Sequence, residues 1–294
     1  MTVLTTATVV IPAYNARTTI DEQLDALERQ TYDRPFEVLL CDNGSTDGTA
    51  AHVAARPRCE AYELRVIDAS ATPGASYARN TGASVARGEF LAFCDADDKV
   101  SPMWLEALVD GVRRAEAVAG TLVTSDVNSP RVRAWREAPP RDALQEWWKF
   151  LPVLTGASFG VTAAAYRAVG GFDESYRSGG EDTDLAFRLQ LAGFGLTHAR
   201  DAETAYRLRP TRRGLWHQSV MCGRGDARLY ADYRSYGMPR RHPVMTMDVI
   251  ALVLLRNPLL PKLITRLDRG RWVFFAGNLV GRVWGSVENR VFYV

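Results

Sequence analysis

The stretch E-F-L-A-F-C-D-A-D-D, residues 89–98, joins an uninterrupted apolar run to three carboxylates. A short apolar run without alternation predicts a strand that is buried on both faces of a sheet. Similar runs at residues 8–11, 36–41 and 64–67 predict three further strands, and the amphipathic segments between the runs predict helices. Strands that alternate with helices are typical of an α/β domain built on a parallel sheet.

Two other predicted strands also run into polar residues. The strand at 36–41 continues into D-N-G-S-T-D, residues 42–47, and the strand at 8–11 continues into P-A-Y-N, residues 12–15. Ligands of open α/β sheets bind in the crevice beyond the carboxyl ends of the strands. We therefore expect a ligand site where these polar ends meet the carboxylates of residues 95–98.

Asp95 and Asp97 form an i, i+2 pair directly after a predicted strand. A tight turn can direct two such carboxylates to one side, where their hard oxygen ligands suit Mg²⁺ or Mn²⁺ bound jointly with substrate phosphates. Aspartates also cap turns without any metal. The position at the carboxyl edge of the sheet, opposite the loop that begins at Asp42, favours the metal site.

A second acidic pair, Glu181 and Asp182, follows two glycines and begins a predicted helix. Acidic residues in a first helical turn are stabilised by the helix dipole, which is one interpretation of the pair. The other is a general base that the helix start holds in place and the glycines leave accessible. The sequence pattern leaves both interpretations open.

The charge of the chain is divided unevenly along its length. The formal net charge is +2, but residues 1–206 carry 20 basic and 29 acidic side chains, a net charge of −9, and residues 207–294 carry 16 and 5, a net charge of +11. This asymmetry predicts different partners for the two parts. Nucleic acid is disfavoured, because no recognised binding motif accompanies the basic part and the acidic part repels phosphate backbones.

The cysteines and the apolar runs indicate a compartment. The four cysteines show no metal-ligand spacing, and Cys41 and Cys94 end apolar runs, which predicts buried free thiols in a reducing environment. The N-terminus lacks the pattern of a signal peptide, and no run reaches the ~20 apolar residues that span a bilayer. We expect a cytoplasmic protein, with peripheral contact to the inner membrane face as an alternative for its C-terminal segment.

The residues assembled so far belong to longer motifs. These are V-V-I-P-A-Y-N-A (9–16), C-D-N-G-S-T-D-G-T (41–49), A-R-N-T-G-A-S-V-A-R-G-E-F-L-A-F-C-D-A-D-D (78–98), G-G-F-D-E-S-Y (170–176) and G-E-D-T-D-L-A-F-R-L (180–189). Over about residues 7–230 the chain resembles a family 2 glycosyltransferase with the GT-A fold. The resemblance implies an α/β protein of GT-A type, with a mainly parallel central sheet flanked by helices and a helical C-terminal extension.

The same resemblance implies a domain organisation. Residues 1–210 would form the catalytic domain, with a donor-binding half at about 1–100 and an acceptor half at about 101–210. Residues 211–294 would form the helical extension. The implied reaction is an inverting, metal-assisted single displacement that moves a hexosyl or related sugar from a nucleotide-diphosphate donor to an acceptor hydroxyl. A lipid-linked acceptor and a small-molecule glycoside are both compatible with it.

The resemblance also implies a role for individual residues of the motifs. Asp182 would be the base that deprotonates the acceptor, with Glu181 beside it. Asp97 would hold the divalent metal, Mg or Mn, on the diphosphate, and Asp95 the ribose or a metal-bound water. The residues implied in donor binding, several of them around the nucleobase, are Pro12, Ala13, Tyr14, Asn15, Asp42, Arg79, Asp95 and Ala96.

The sequence also bears on other functions and offers further candidate residues. A dinucleotide oxidoreductase is disfavoured, because no G-x-G-x-x-G follows the first strand. A non-catalytic nucleotide-sugar-binding relative and a sugar nucleotidyltransferase are the alternatives. His198 and His217 are candidates for a further group near the diphosphate. The arginine-rich stretch Y-R-L-R-P-T-R-R-G-L (206–215) is either a cluster near the diphosphate, or on a flexible lid, or a solvated basic face.

The C-terminal segment is predicted to be helical at about residues 212–235, 246–255 and 271–290. In the last of these, apolar side chains recur at steps of three to four residues, with arginines beside them. The members of this apolar stripe are Trp272, Ala276, Leu279, Val280, Val283, Trp284, Val287 and Val291. Such a stripe packs on the catalytic domain or on a second subunit, or it lies in a membrane interface. We therefore expect residues 246–294 to form a homodimer contact or a peripheral membrane contact.

Overall fold

The computed structural model of the chain describes residues 6–136, 140–141, 143–146, 149–258 and 268–294. Within them, one eight-stranded sheet has the strand order β3-β2-β1-β4-β7-β6-β8-β5. Its strands are β1 (Ala7–Ala13), β2 (Phe36–Asp42), β3 (Tyr62–Asp68), β4 (Phe90–Cys94), β5 (Lys99–Val100), β6 (Ala117–Val123), β7 (Ser158–Thr162) and β8 (Leu196–Ala205). The helices are α1 (Ile20–Glu28), α2 (Thr49–Ala54), α3 (Ala75–Val85), α4 (Trp104–Gly111), α5 (Pro130–Arg133), α6 (Ala163–Ala168), α7 (Glu181–Leu191), α8 (Arg212–Tyr233), α9 (Pro243–Leu255) and α10 (Arg269–Glu288).

The N-terminal half of the sheet is the predicted βα alternation. Strands β1, β2, β3 and β4 pair in parallel, and α1, α2 and α3 connect them in turn. The register places Ala13 opposite Asp42 and Asp42 opposite Asp68, so that the polar ends of three strands meet at one edge. The four strands predicted from their apolar runs are confirmed, as are the helices between them.

The C-terminal half of the sheet departs from this pattern. Strand β7 lies antiparallel between β4 and β6, β5 is antiparallel to β8, and β6 is parallel to β8. The central sheet is therefore mixed, with parallel pairing in four of its seven strand pairs.

Strand β7 shows why this half was hard to predict. Residues 156–160 have the small, flexible composition of a loop, yet most of this segment is a buried strand. The Ser158 hydroxyl accepts a hydrogen bond from Trp104 Nε1 at 2.9 Å and another from Thr204 at 2.9 Å. A Cβ atom on Gly160 would lie 2.1 Å from the Phe90 ring. The contacts that favour a serine at 158 and a glycine at 160 thus come from residues that are distant in sequence.

The two faces of the sheet carry separate apolar cores. On one face Ile11 and Leu40 pack with Leu24 of α1 and Trp104 of α4. The other core contains the buried side chains Val10, Leu39, Phe93 and Phe159 of the sheet and Ala78, Tyr166 and Leu185 of α3, α6 and α7. Cys41 and Cys94 are buried free thiols, as predicted, and burial raises the pKa of Cys41 to about 12. Because both faces are covered, the carboxyl ends of the strands are where a ligand can reach the described sheet.

Helix α10 packs on α8 through glycines rather than through its predicted apolar stripe. A Cβ on Gly281 would lie 2.1 Å from the Val220 carbonyl oxygen, and one on Gly277 would lie 2.7 Å from Ser219 Cβ. The central members of the predicted stripe, Val280, Val283, Trp284 and Val287, are exposed instead. Among the described residues, no helix has both the length and the apolar character needed to cross a membrane.

Candidate active site at the carboxyl edge of the sheet

The loop that follows β1 is fastened to the loop that follows β2. The Asn15 backbone N–H donates to Ser45 Oγ at 2.9 Å, and Asn15 Oδ1 accepts from the Thr46 backbone at 2.8 Å. Asn15 has a φ of +53°, a left-handed conformation that asparagine adopts more readily than most residues. Beside it the Tyr14 side chain is 65% exposed. Four predicted ligand residues, Pro12, Ala13, Tyr14 and Asn15, thus lie beside the loop that begins at Asp42.

The Asp42 loop is held from its other side by a residue that the sequence did not single out. Asn43 Oδ1 accepts a hydrogen bond from the Gly74 backbone at 2.7 Å, and Asn43 Nδ2 donates to the Thr72 carbonyl at 2.9 Å. Asp42 Oδ2 accepts from the Ser45 backbone at 3.2 Å, while Asp42 Oδ1 is buried without a hydrogen-bond partner among the described residues. The only available signal for Asn43 was its place between Asp42 and Gly44.

The turn after β4 gathers three carboxylates. Asp95, Asp97 and Asp98 each place a carboxylate oxygen within 4.8 Å of the others. Burial raises the pKa of Asp98 to about 9 and also raises the pKa of Asp97, and repulsion by the neighbouring carboxylates adds to both shifts. A bound cation would relieve this repulsion. Asp98 was not among the predicted ligands, although its adjacency to Asp97 was visible.

The fit of a divalent cation can be judged from these donors. Asp98 is 1% exposed, its Oδ1 accepts from the Arg207 backbone at 2.7 Å, and its Oδ2 has no hydrogen-bond partner among the described residues. A buried carboxylate oxygen without a partner is costly unless a ligand binds it. Clustered carboxylate oxygens are the donor set that Mg²⁺ and Mn²⁺ prefer. The residues present therefore fit a divalent cation.

Two arginines of the basic stretch lie against this cluster. Arg209 Nη1 donates to Asp97 Oδ2 at 3.1 Å, and Arg207 Nε donates to the Asp97 carbonyl at 2.7 Å. Arg207 also pairs with Glu22 at 3.0 Å, whereas Arg212 and Arg213 are exposed in the first turn of α8. Arg207 and Arg209 therefore lie against the carboxylates, whereas Arg212 and Arg213 are solvated; a position of these arginines near a diphosphate stays a prediction.

Arg79 connects the two acidic groups from below. Its Nη2 donates to Asp95 Oδ1 at 2.7 Å, and its Nη1 lies 3.6 Å from Glu181 Oε1. The side chain is 4% exposed and its guanidinium lies over the Phe172 ring, 5.3 Å from the centroid. A Cβ on Gly156 would come within 2.9 Å of Nη2, so a glycine leaves room for the arginine. Arg79 thus lies beneath the site and contacts carboxylates on both of its sides.

Glu181 and Asp182 begin α7, as predicted. Asp182 Oδ2 accepts from the Gly156 backbone at 2.9 Å, and Asp182 Oδ1 accepts from the Thr183 backbone at 2.8 Å. Burial, followed by the charge of Asp182, raises the pKa of Glu181 to about 7. One of the two carboxylates is thus held by backbone donors, and the other has a raised proton affinity.

Other polar groups nearby have structural partners. Asp184 is buried and accepts hydrogen bonds from Tyr233 at 2.6 Å and from Arg188 at 2.6 Å. His198 pairs with Thr121 at 2.9 Å. Within the described residues, neither His198 nor His217 belongs to the group of acidic side chains that could hold a metal.

The comparisons with known proteins identify the family of the chain. The family model described as Glycosyl transferase family 2 matches residues 8–169. Glycosyltransferase AglE of Haloferax volcanii is 32% identical over 229 residues, which cover 76% of this chain and 73% of that protein. The chain belongs to glycosyl transferase family 2.

A second relative is longer than this chain. Validoxylamine A glucosyltransferase of Streptomyces hygroscopicus subsp. jinggangensis is 30% identical over 231 residues, which cover 66% of this chain and 53% of that protein. The chain therefore matches only about half of the length of that relative.

Solved structures share the fold. The mannosyltransferase PcManGT from Pyrobaculum calidifontis, in complex with GDP-Man and Mn²⁺, has a TM-score of 0.58 at 18% identity, over 95% of this chain and 87% of that chain. S. aureus TarS 1–349 in complex with UDP-GlcNAc has a TM-score of 0.53 at 16% identity, over 98% and 93% of the two chains. The predicted GT-A type of fold, with its C-terminal helical part, is confirmed.

Proposed function

We propose that the protein transfers a sugar from a nucleotide-diphosphate donor to an acceptor hydroxyl, with inversion at the anomeric carbon. The observation that carries the proposal is the meeting of two acidic groups through one buried arginine. Arg79 contacts Asp95 of the carboxylate cluster at 2.7 Å and lies 3.6 Å from Glu181 of the second pair. A group for the departing diphosphate and a group for the attacking hydroxyl are thereby held on a common support.

The donor is proposed to bind along the carboxyl edge of β1, β2 and β4. Pro12, Tyr14 and Asp42 would surround the nucleobase, in keeping with the exposed Tyr14 ring and the fastened loops around it. Ala13, Asn15 and Ala96 would line the path toward the diphosphate. The complexes of PcManGT with GDP-Man and of TarS with UDP-GlcNAc support a nucleotide-sugar donor.

Asp95 and Asp97 are proposed to hold a divalent cation, Mg²⁺ or Mn²⁺, with Asp98 beside them. When bound, such a cation would neutralise negative charge that grows on the departing diphosphate. Arg209 lies at the same cluster and can donate hydrogen bonds to phosphate oxygens. Arg207 orders the cluster through its bonds to Asp97 and Asp98. The Mn²⁺ complex of PcManGT supports this assignment.

Asp182 is proposed to be the general base. The backbone N–H groups of Gly156 and Thr183 hold its carboxylate in one orientation, in which it can accept a proton from the acceptor hydroxyl. In a single displacement the acceptor oxygen attacks the anomeric carbon on the face opposite the departing diphosphate, and its proton passes to Asp182. Glu181, with its raised pKa, and Arg79 would set the charge around this base.

The proposal is tested by nucleotide binding and donor turnover in the same preparation. Calorimetry with UDP, GDP, dTDP and CDP, each with and without Mn²⁺, should reveal one preferred nucleobase and metal-dependent affinity. Asp97→Ala should lower the rate of nucleotide-diphosphate release from the matching nucleotide sugar by about 10³-fold, the scale expected when a main electrostatic group is removed. Asp201→Ala, an exposed aspartate of β8, is the matched control and should retain wild-type turnover.

The outcomes separate the competing functions. Undiminished turnover in EDTA would contradict the metal assignment. Binding of a nucleotide sugar without any transfer or hydrolysis, whatever acceptor is supplied, would favour a non-catalytic relative. Formation of a nucleotide sugar from a nucleoside triphosphate and a sugar phosphate would favour a nucleotidyltransferase.

A further inference from the structure

Helix α9 is apolar around most of its circumference, yet none of its residues is buried. Its sequence P-V-M-T-M-D-V-I-A-L-V-L-L contains only two polar side chains, Thr246 and Asp248. Leu254 is 65% exposed, and Met247 and Leu255 are exposed to a similar extent. Helices that are apolar on all sides are normally covered by protein or by lipid. Within the described residues, most of the surface of α9 is not covered by this chain.

Helix α10 extends this apolar surface. The Trp272 indole donates to the Val253 carbonyl at 2.9 Å, and Thr246 Oγ1 donates to the carbonyl of Val294, so that the two helices lie side by side in opposite directions. The outward side of α10 and the tail that follows it also expose apolar side chains. The C-terminal apolar surface, as we name it, consists of the exposed apolar side chains of α9, of Val280, Val283, Trp284 and Val287 of α10, and of Phe292. Large exposed apolar surface of this kind marks an interaction site.

Arginines surround this surface. Among the described residues of this part, the exposed basic side chains are Arg240, Arg256, Arg269 and Arg290, and the exposed acidic ones are Asp248, Asp268 and Glu288. Arg240 lies over Phe292 at 4.8 Å from the ring centroid, and Arg269 and Arg290 are exposed at the two ends of α10. One of the acidic groups, Glu288, is already paired with Arg224, whose guanidinium lies over Trp284. The rim of the apolar surface is therefore positively charged.

We propose that the C-terminal apolar surface docks on a membrane that contains anionic lipids, with α9 and α10 lying in the interface. Apolar side chains then enter the acyl boundary while the arginines remain at the level of the phosphate headgroups. A second copy of the chain is disfavoured as the occupant, because a symmetric dimer would bring two rims with a net positive charge together. With 13 residues, α9 extends about 20 Å, which is short of the ~30 Å hydrocarbon core. No described helix combines the length and the apolar character needed to cross a bilayer, so the surface would lie on the membrane.

The experiment measures co-sedimentation of the full chain with vesicles, in the absence of donor and acceptor. Vesicles of phosphatidylcholine alone are compared with vesicles that also contain phosphatidylglycerol, at low and at high ionic strength. The protein should sediment with the anionic vesicles, less so at high salt, and weakly with the neutral ones. Arg269→Glu combined with Arg290→Glu should weaken anionic binding by about tenfold or more, since each basic residue near the surface contributes to attraction.

The apolar part of the contact is tested by Leu254→Glu combined with Val287→Glu. Both side chains are well exposed, so these changes should leave the thermal midpoint near that of the wild type while abolishing sedimentation with vesicles. Leu191→Glu, at an exposed leucine at the end of α7, is the matched control and should sediment like the wild type. Nucleotide binding by every variant reports folding and is independent of membrane binding.

Two results would overturn the proposal. One is a wild-type protein that stays in the supernatant with anionic vesicles at low salt. The other is a dimer in sedimentation velocity that the Leu254→Glu, Val287→Glu variant dissociates, with no vesicle binding by either protein; the surface would then join two copies of the chain. Since the assay contains no donor or acceptor, neither result bears on the proposed transfer reaction.

Discussion

The carboxyl edge of the sheet and the α8–α10 helix pair differ in the residues that form their contacts. At the edge, charged side chains from β4, α3 and α7 converge, and Arg79 lies between carboxylates on two sides. In the helix pair, the closest contacts are made at Gly277 and Gly281, which let the two helices approach each other closely. Contacts between charged side chains define the first region, whereas glycines, which lack a side chain, define the second.

This difference has a consequence for function. Concentrated charge at the edge costs folding free energy unless a ligand compensates for it, as the raised pKa values of Asp97, Asp98 and Glu181 indicate. The glycine contact of the helix pair buries the backbone of α10 against α8 and leaves its larger apolar side chains outside. One region concentrates charge, and the other presents an apolar surface.

The largest effect is expected from Asp182→Asn at the edge. The change preserves shape but removes the proton acceptor, so that transfer should fall by about 10³-fold, as is usual for loss of a general base. The affinity for the nucleotide should stay within experimental error, since Asp182 is proposed to act on the acceptor and not on the nucleotide. Single-turnover transfer and calorimetry on the same protein check the two parts. Transfer at the wild-type rate would show that the base lies elsewhere.

A smaller effect, on stability rather than on transfer, is expected at Gly281. Helix propensity alone predicts that Gly281→Ala stabilises the chain by up to about 1 kcal/mol. The contact of a new Cβ with the Val220 carbonyl, at 2.1 Å, predicts the opposite sign. Gly281→Val should be worse than Gly281→Ala, lowering the free energy of unfolding by about 3 kcal/mol.

Urea unfolding of both Gly281 variants tests the close approach of the two helices. A free energy of unfolding that falls from the wild type to Gly281→Ala and further to Gly281→Val supports this close approach. A gain in stability with alanine would show that α8 and α10 do not touch at this position.

The smallest effect expected is a pH dependence of the stability, caused by Asp226 of α8. Asp226 is buried, and burial raises its pKa to about 7, above the value of 3.8 that it has when exposed. A raised pKa means that the folded state binds the proton more tightly, so this stability is present at low pH and is lost as the pH rises through 7. In the wild type, the free energy of unfolding should therefore fall by about 2 kcal/mol between pH 5 and pH 8. Asp226→Asn should abolish this fall.

Thermal unfolding at a series of pH values checks the Asp226 prediction. Asp201→Asn is the control, because that aspartate is exposed and should leave the pH profile unchanged. If Asp226→Asn and the wild type had parallel profiles, burial would not govern the ionisation of this group.

Much of the N-terminal half was predictable from the sequence. The apolar runs at β1, β2, β3 and β4 and the polar residues after them depend on local pattern, and the structure places them as expected. Strand β7 was not predictable, because serine and glycine are typical of loops. Only the contacts of Ser158 with Trp104 and of Gly160 with Phe90 explain why these residues lie in a strand. The packing face of α10 was missed for a related reason, since a glycine repeat has no hydrophobic periodicity.

The candidate site divides in the same way. Asp95, Asp97, Glu181 and Asp182 were identified from their positions next to predicted strands and helices. The inclusion of Asp98, the place of Arg79 beneath both acidic groups and the contact of Arg209 with Asp97 came only from the structure. Their partners lie up to 112 positions away in sequence, as Arg209 and Asp97 do.

The sequence by itself determined the βα alternation, the edge at which carboxylates collect and the basic character of the C-terminal part, because each of these depends on residues that are neighbours along the chain. Only the tertiary structure decided which charges meet and which apolar side chains stay exposed. The order of the strands brings α7 next to α3, and the glycines of α10 turn its valines outward. Contacts between distant segments depend on the relative placement of whole elements, which no local period encodes.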